Sequence, residues 1–314
     1  MIETALGLRT AFTAPHRLAA KTGADVLEDG GSAIEAMVAA AATIAVVYPH
    51  MNGIGGDGFW LIARPGEALL GIFAGGPAAA LATPEWYAAL GHTTSIPARG
   101  AAAALTVPGT IGGWETALGL LGGQHRPLAE LLAPAIGYAR DGVAVSRNQA
   151  VTLAKKLDGL RDVPGFAEVF LADGQAPAAG SALIQSALVR TLERLADAGL
   201  REFYDGEIAA IHARCLEAAG SPLRAGDLAS YAARQVVPLS VQTSAGQLHN
   251  MIPPTQGMSS LAILGAFDRL GVTEAESFDH WHGLIEATKQ AFVTRNAELG
   301  DARAMRVPAE DLLT

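Results

Sequence analysis

The sequence of 314 residues predicts an α+β fold with a large helical lobe, and three observations support this class. Apolar residues recur at helical spacing through most of residues 16–48 and again through most of residues 110–235. Two short apolar runs of strand length lie within 58–76, and strand-like alternation returns at 236–254. The sequence has no internal repeat, low-complexity tail or long linker, which predicts a single domain over residues 1–314.

The first two helices are predicted to follow one another closely. The stretch "HRLAAKTGADVLEDGG" at 16–31 has helical apolar spacing and ends in two glycines, which suit a helix C-terminus. Ser32 can cap the next helix, and Glu35 three residues later completes a capping box. We expect this Ala-rich helix to be buried and to end near Pro49, and it is too short to cross a membrane.

A glycine-rich loop, "PHMNGIGGDGFW" at 49–60, comes next, and Gly53, Gly55 and Gly58 fit the pattern G-x-G-x-x-G. A dinucleotide-binding turn needs a strand before these glycines and a helix after them. Here the predicted helix precedes the loop and strands follow it, so the pattern does not indicate a nucleotide site. We interpret the glycines as a sharp crossing from a helix into a sheet, where positive φ and close backbone packing favour Gly.

The later elements are predicted from the same signals. The runs "GFWLIAR" and "ALLGIFAGG" are split by "PGEA" and indicate a hairpin. In "TPEWYAAL", Thr83 is a helix cap and Pro84 lies in the first turn. Five helical patterns then fill the lobe, "VVPLSVQTSAGQLHNMIPP" predicts strands, and "SSLAILGAFDRLG" and "FDHWHGLIEATKQAFVTRNAELG" predict two final helices.

Composition narrows the class of protein. The chain has 22 basic and 31 acidic residues and no Lys/Arg run, which argues against a nucleic-acid partner. Half of the residues are apolar and 17% are charged, a balance that indicates an extensive interior or a large interface with another chain. The N-terminal stretch lacks the pattern of a signal peptide, so we expect a cytoplasmic protein with no membrane partner.

The sequence alone contains no complete catalytic or metal-binding set. Cys215 is the only cysteine, and its helical surroundings predict a small buried residue. In "DHWH", His280 and His282 point to opposite sides of a helix, while His282 and Glu286 share a face without a third ligand. We therefore expect a capped helix start rather than a zinc site, and no cofactor. Hydrolase-elbow, zinc-protease and P-loop motifs do not occur.

Seven segments in order carry a resemblance to a known family: "PHRLAAKTGADVLEDGGSAIEAMVAAAATIAVVYPHMNGIGGDGF", "LTVPGTIGGWE", "LAELLAPAIGYARDGVAVS", "FYDGEIAAIH", "AGDLASYAARQVVPLS", "MIPPTQGMSSLAIL" and "EATKQAFVTRNAELGD". Together they resemble the large chain of the γ-glutamyltranspeptidases, which are N-terminal-nucleophile hydrolases. The resemblance covers nearly the whole chain.

The resemblance implies an αββα sandwich shared with a separate small chain that is cut from the same precursor. It also implies a Thr at the start of that small chain, whose hydroxyl attacks an amide carbonyl while its α-amino group takes the proton. No catalytic residue is then expected in this chain. Thr314 is the last residue here, so it has no free α-amine and cannot serve. A pairing of two such heterodimers is left open.

One departure from the family pattern concerns the substrate pocket. In the classical enzymes the strand after the glycine loop carries an Arg that clamps the glutamyl α-carboxylate, whereas "GIFAGGPAAA" places Phe73 at that position. A phenyl ring cannot replace a bidentate guanidinium. Phe73, Gly75 and Gly76 would form a tighter, more apolar wall that suits a smaller acyl group.

The runs "YPHMNGIGGDGFWLI" and "PPTQGMSSLAILG" resemble the oxamate amidohydrolase branch of the family, which cleaves a two-carbon amide acid. For its carboxylate we consider Arg99 as a binding residue, with a surface loop arginine as the alternative. A classical γ-glutamyltranspeptidase that holds the carboxylate elsewhere, and a non-catalytic binding or scaffold protein, also stay open.

Overall fold

A computed structural model describes residues 6–313, and Met1–Ala5 and Thr314 lie outside the described residues. Its helices are α1 Arg17–Glu28, α2 Ala33–Val47, α3 Pro84–Ala89, α4 Thr110–Gly119, α5 Leu128–Asp141, α6 Arg147–Lys156, α7 Phe166–Phe170, α8 Ser186–Ala198, α9 Glu202–Asp205, α10 Glu207–Ala219, α11 Ala225–Ala229, α12 Gly257–Asp268 and α13 Phe278–Glu298. Its strands are β1 Gly58–Ile62, β2 Leu70–Ala74, β3 Val143–Ala144, β4 Ala182–Leu183, β5 Arg234–Val236, β6 Leu239–Thr243 and β7 Gly246–Asn250. Helices and strands thus occur together, as the α+β class requires.

The described chain forms two compact units. The first comprises residues 6–58 and 74–233, and the second comprises residues 59–73 and 234–313. The single domain predicted over residues 1–314 stays a prediction. Within residues 6–313, no helix combines the length and the apolar character that a membrane crossing requires.

The first unit is built on four helices that pack in succession, α1 on α2, α2 on α5 and α5 on α8. Alanines dominate the buried side of α2 and let its neighbours approach closely, while Val38 and Val46 are fully buried there. The hydroxyl of Thr43 donates a buried hydrogen bond of 3.2 Å to Thr22, which links α2 to α1. The short strands β3 and β4 pair antiparallel in the same unit.

The helix ends follow the predicted signals. Helix α1 ends at Glu28, and Gly30 after it has positive φ, as a helix C-terminus favours. Ser32 and Glu35 form the predicted capping box at the start of α2. The hydroxyl of Thr83 accepts from the N–H of Trp86 and caps α3, which confirms that prediction as well.

The second unit contains a three-stranded sheet in the order β1-β2-β5 and a separate antiparallel pair, β6 with β7. The neighbouring positions of β1 and β2 match the predicted hairpin. Strands β2 and β5 are antiparallel, with Phe73 opposite Arg234 and Gly71 opposite Val236. Helix α12 packs on β6 and β7 and on α13. One buried hydrophobic cluster of this unit consists of Leu239, Met258, Leu261 and Ala309.

Candidate functional site

The glycine loop between α2 and β1 is open to its surroundings. None of Gly53, Gly55, Gly56 and Gly58 has positive φ in the described chain, so the predicted left-handed geometry is wrong. A Cβ at Gly55 or Gly56 would meet nothing within 4 Å, and one at Gly58 would make ordinary contacts with Thr110. Packing within the described chain therefore gives no reason for Gly at these positions. What the glycines provide is exposed main chain without side chains.

The end of this loop is fixed to the start of α4. The carbonyl of Gly56 accepts hydrogen bonds from the backbone N–H groups of Gly109, at 2.8 Å, and Thr110, at 2.9 Å. The Thr110 hydroxyl lies 3.0 Å from the carbonyl oxygens of both Gly56 and Asp57. The carbonyl groups of the loop therefore have three donors within reach at the start of α4, two backbone N–H groups and one hydroxyl, and the hydroxyl can donate to either oxygen.

The segment after β2 is joined to the same place. The carboxylate of Asp57 accepts a hydrogen bond of 3.2 Å from the N–H of Gly76, and the N–H of Val107 donates to the carbonyl of Pro77 at 3.0 Å. Gly76 lies so close to Val107 that a Cβ at position 76 would overlap the Val107 backbone. Here close approach does require Gly, and the half-buried Gly75 precedes it.

Tyr204 fixes the backbone at the start of α4, to which the glycine loop is bonded. Its buried hydroxyl donates to the carbonyl of Pro108 at 2.9 Å and accepts from the N–H of Gly112 at 2.8 Å. Burial raises the pKa of the Tyr204 phenol well above its usual value, so it stays protonated and able to donate. Gly112 has little spare room, because a Cβ there would come within 2.8 Å of the Tyr231 ring. The turn that holds the glycine loop is therefore itself rigidly held.

Phe73 is an aromatic wall in the second unit, and its side chain is 7% exposed. Its ring packs against Phe59 with 5.3 Å between the ring centroids. Arg234 lies opposite Phe73 across the β2–β5 pair, and its guanidinium carbon is 5.2 Å from the Phe73 ring centroid. Arg234 could not be predicted from the sequence, because only the strand register brings these two residues together.

Arg99 is exposed and lines a cavity of about 300 Å³ in the first unit. His50, Lys156 and the rings of Phe166 and Phe170 also line this cavity, whereas Gly75 and Gly76 of the same unit do not. A Cβ at Gly159 would be 2.5 Å from the Arg99 guanidinium, so that side chain lies on the α6–α7 connection. The role of Arg99 in carboxylate binding stays a prediction, and so does the grouping of Phe73, Gly75, Gly76 and Arg99 into one site.

The structure also bears on two further predictions, a buried Cys215 and a capped helix start at "DHWH". Cys215 is exposed, so the prediction of a buried cysteine is wrong. Ala213 is the last buried residue of α10, and Cys215 lies on the exposed side of the final turns of that helix. The start of α13 is capped by Ser277, as predicted, and within residues 6–313 no three His, Cys, Asp or Glu side chains form a group that could hold a metal.

The family of this chain follows from its similarity to known proteins. The profile of the family described as Gamma-glutamyltranspeptidase matches residues 19–314, and the chain belongs to this family. The crystal structure of Helicobacter pylori γ-glutamyltranspeptidase superposes with a TM-score of 0.89 at 28% identity, covering 100% of this chain and 90% of that chain. The predicted fold of an N-terminal-nucleophile hydrolase is thereby confirmed.

Two relatives whose names state an activity match nearly the whole of this chain. This chain is 51% identical to the oxamate amidohydrolase proenzyme of Klebsiella pneumoniae over 304 residues, 96% of this chain and 57% of that protein. It is 33% identical to the glutathione hydrolase-like YwrD proenzyme of Bacillus subtilis, over 100% of this chain and 59% of that protein. Both relatives are named as hydrolases, and this chain spans somewhat more than half of their length.

Proposed function

We propose that this chain is the large subunit of an amidohydrolase that converts oxamate to oxalate and ammonia. The observation that carries the proposal is its 51% identity to an oxamate amidohydrolase proenzyme over 96% of the chain. Phe73 supports the same choice. Placed at the position where the family resemblance leads us to expect a carboxylate-clamping Arg, it disfavours a γ-glutamyl group and suits a two-carbon acid.

The proposed reaction uses a Thr at the start of a small chain from the same precursor. Its hydroxyl oxygen attacks the amide carbon of oxamate, and its own α-amino group takes the hydroxyl proton. The α-ammonium group then passes this proton to the amide nitrogen, the C–N bond breaks and ammonia leaves, and an oxalyl ester remains on the Thr. Water hydrolyses this ester, so that oxamate and one water give oxalate and ammonium.

The small chain is also the proposed macromolecular partner, in a cytoplasmic heterodimer. The open glycine loop fits that role, because main chain without side chains lets a second chain approach closely. The contacts of Gly56 and Asp57 with α4 and with Gly76 hold the loop in one place. In this proposal the large chain supplies a rigid wall, and the nucleophile comes from outside it.

The test is a side-by-side assay of oxamate and glutathione with the complete proenzyme. We expect cleavage into two chains, Thr at the new N-terminus, and turnover of oxamate in preference to glutathione. In the Phe73→Arg variant we expect kcat/KM for oxamate to fall by about tenfold or more, because the apolar wall that suits a small acyl group is lost. We expect hydrolysis of γ-glutamyl amides to improve, because the new guanidinium can clamp the glutamyl α-carboxylate. Turnover of glutathione alone would indicate a classical γ-glutamyl enzyme, and a proenzyme that never forms a small chain would indicate a scaffold.

A further inference from the structure

A small molecule bound against Phe73 on β2 would lie close to Arg234 on β5. In an antiparallel pair, residues that lie directly opposite each other project from the same face of the sheet. Phe73 and Arg234 are such a pair, and the guanidinium carbon lies over the Phe73 ring at 5.2 Å from its centroid. The cation therefore lies on the same face of the sheet as the aromatic wall.

Within the described residues, no ion pair neutralises the charge of Arg234. The residue is exposed, and within residues 6–313 its guanidinium has no carboxylate at ion-pair distance and no hydrogen-bond acceptor. Asp301 is close enough for Arg234 to contribute to its lowered pKa, which Arg303 lowers most. However, the carboxylate of Asp301 already accepts from the Arg303 side chain at 3.1 and 2.8 Å.

The ring beneath the guanidinium is a firm platform. Phe73 is buried and packs against Phe59, so the ring has little freedom to move away. A guanidinium over an aromatic face is attracted by the ring and keeps its N–H donors available at the edge of the plane. This combination orders an arginine side chain without occupying the groups that bind anions.

We propose that Arg234 binds the carboxylate of the substrate, with Phe73 as the platform that positions it. This inference rests on the proposed function, since it assigns a partner to the carboxylate of oxamate. It also gives Phe73 a second role. The ring excludes a larger acyl group, and it supports the cation that β5 supplies in place of one on β2.

The test uses two substrates of nearly the same size, oxamate, which carries a carboxylate, and oxamide, which is neutral. In the complete processed enzyme we expect Arg234→Ala to raise KM for oxamate by about 10- to 100-fold, the range of a lost charge-assisted hydrogen bond, and to leave kcat/KM for oxamide nearly unchanged. Arg234→Lys should recover part of the oxamate affinity. Arg269→Ala removes another exposed arginine of the same unit and should change neither substrate.

Oxalate binding, measured by calorimetry on the same proteins, adds a readout that does not need turnover. Weaker oxalate binding in Arg234→Ala than in wild type supports the inference. Equal oxalate affinity, equal losses on oxamate and oxamide, or no oxalate binding by the wild type would overturn it. A wild type that binds oxalate through Arg234 and does not cleave oxamate contradicts the proposed function and leaves this inference standing.

Discussion

At the scale of single residues, Gly76 is the position in the candidate site with the least tolerance. A methyl group there would overlap the backbone of Val107, and relief would have to separate segments that are joined by the Val107 N–H to Pro77 hydrogen bond. We expect Gly76→Ala to lower the free energy of unfolding by about 3 kcal/mol or more, beyond ordinary overpacking because backbone rather than a side chain is in the way. Urea unfolding measures this loss.

The matched control for Gly76→Ala is Gly137→Ala. Gly137 lies inside α5, and a Cβ there would meet nothing within 4 Å. We expect this variant to be as stable as wild type or more stable by up to about 1 kcal/mol, because Ala is the better helix former. Similar losses in both variants would show that the close approach to Val107 does not determine the need for Gly at position 76.

Single residues also show what the sequence could and could not predict about the site. Phe73 could be found, because a departure from a family pattern is visible in the sequence itself. Arg234 could not, because it lies 161 positions further along the chain, and only the register of β2 with β5 makes them neighbours. The glycine loop was located correctly, yet its backbone geometry was not, since Gly permits positive φ without requiring it.

At the scale of elements, the start of α2 depends on one buried carboxylate. Glu35 accepts from the backbone N–H of Ser32 at 2.6 Å and from that of Arg126 at 2.8 Å. Burial alone would raise the pKa of Glu35, but these hydrogen bonds outweigh it and the net pKa is lowered. The carboxylate therefore stabilises the fold above its ordinary pKa, and this contribution is lost as the pH falls through its lowered value.

We expect Glu35→Ala to reduce the free energy of unfolding by about 2–4 kcal/mol, because two N–H groups near the helix start lose their acceptor. Denaturant unfolding near neutral pH measures the effect. Glu130→Ala is the control, since Glu130 is also in the first turn of a helix of the same unit and is exposed. If both variants lose the same stability, the role of Glu35 is only that of any first-turn acid.

Elements were largely predictable because their signals are local. The caps Ser32 and Thr83, the end of α1 and the adjacent strands β1 and β2 each depend on neighbouring residues in the sequence. Burial was less predictable, as Cys215 shows. Helical spacing identifies which residues share a face, but it does not reveal how far along the helix a neighbour extends.

At the scale of the whole molecule, buried histidines should make the free energy of unfolding depend on pH in the mildly acidic range. Burial lowers the pKa of His212, whose ring centroid lies 5.0 Å from that of Phe203 in a T-shaped arrangement. Burial, Arg17 and His50 together lower the pKa of His16. A base with a lowered pKa takes up its proton more readily in the unfolded chain, so stability falls as the pH drops below the ordinary value of 6.5. The pKa of Asp301 is lowered to about 2, so its contribution is lost only at much lower pH.

Between about pH 7.5 and about pH 5.5 we therefore expect the midpoint of urea unfolding to fall, and we expect His212→Phe to make that fall smaller. Phenylalanine keeps an aromatic ring against Phe203 and removes the group that takes up the proton. His92→Phe, at an exposed position of the same unit, controls for the loss of one histidine, and its pH dependence should follow wild type. If His212→Phe lost as much stability as wild type over this range, proton uptake by the unfolded chain at position 212 would not contribute to the acid sensitivity.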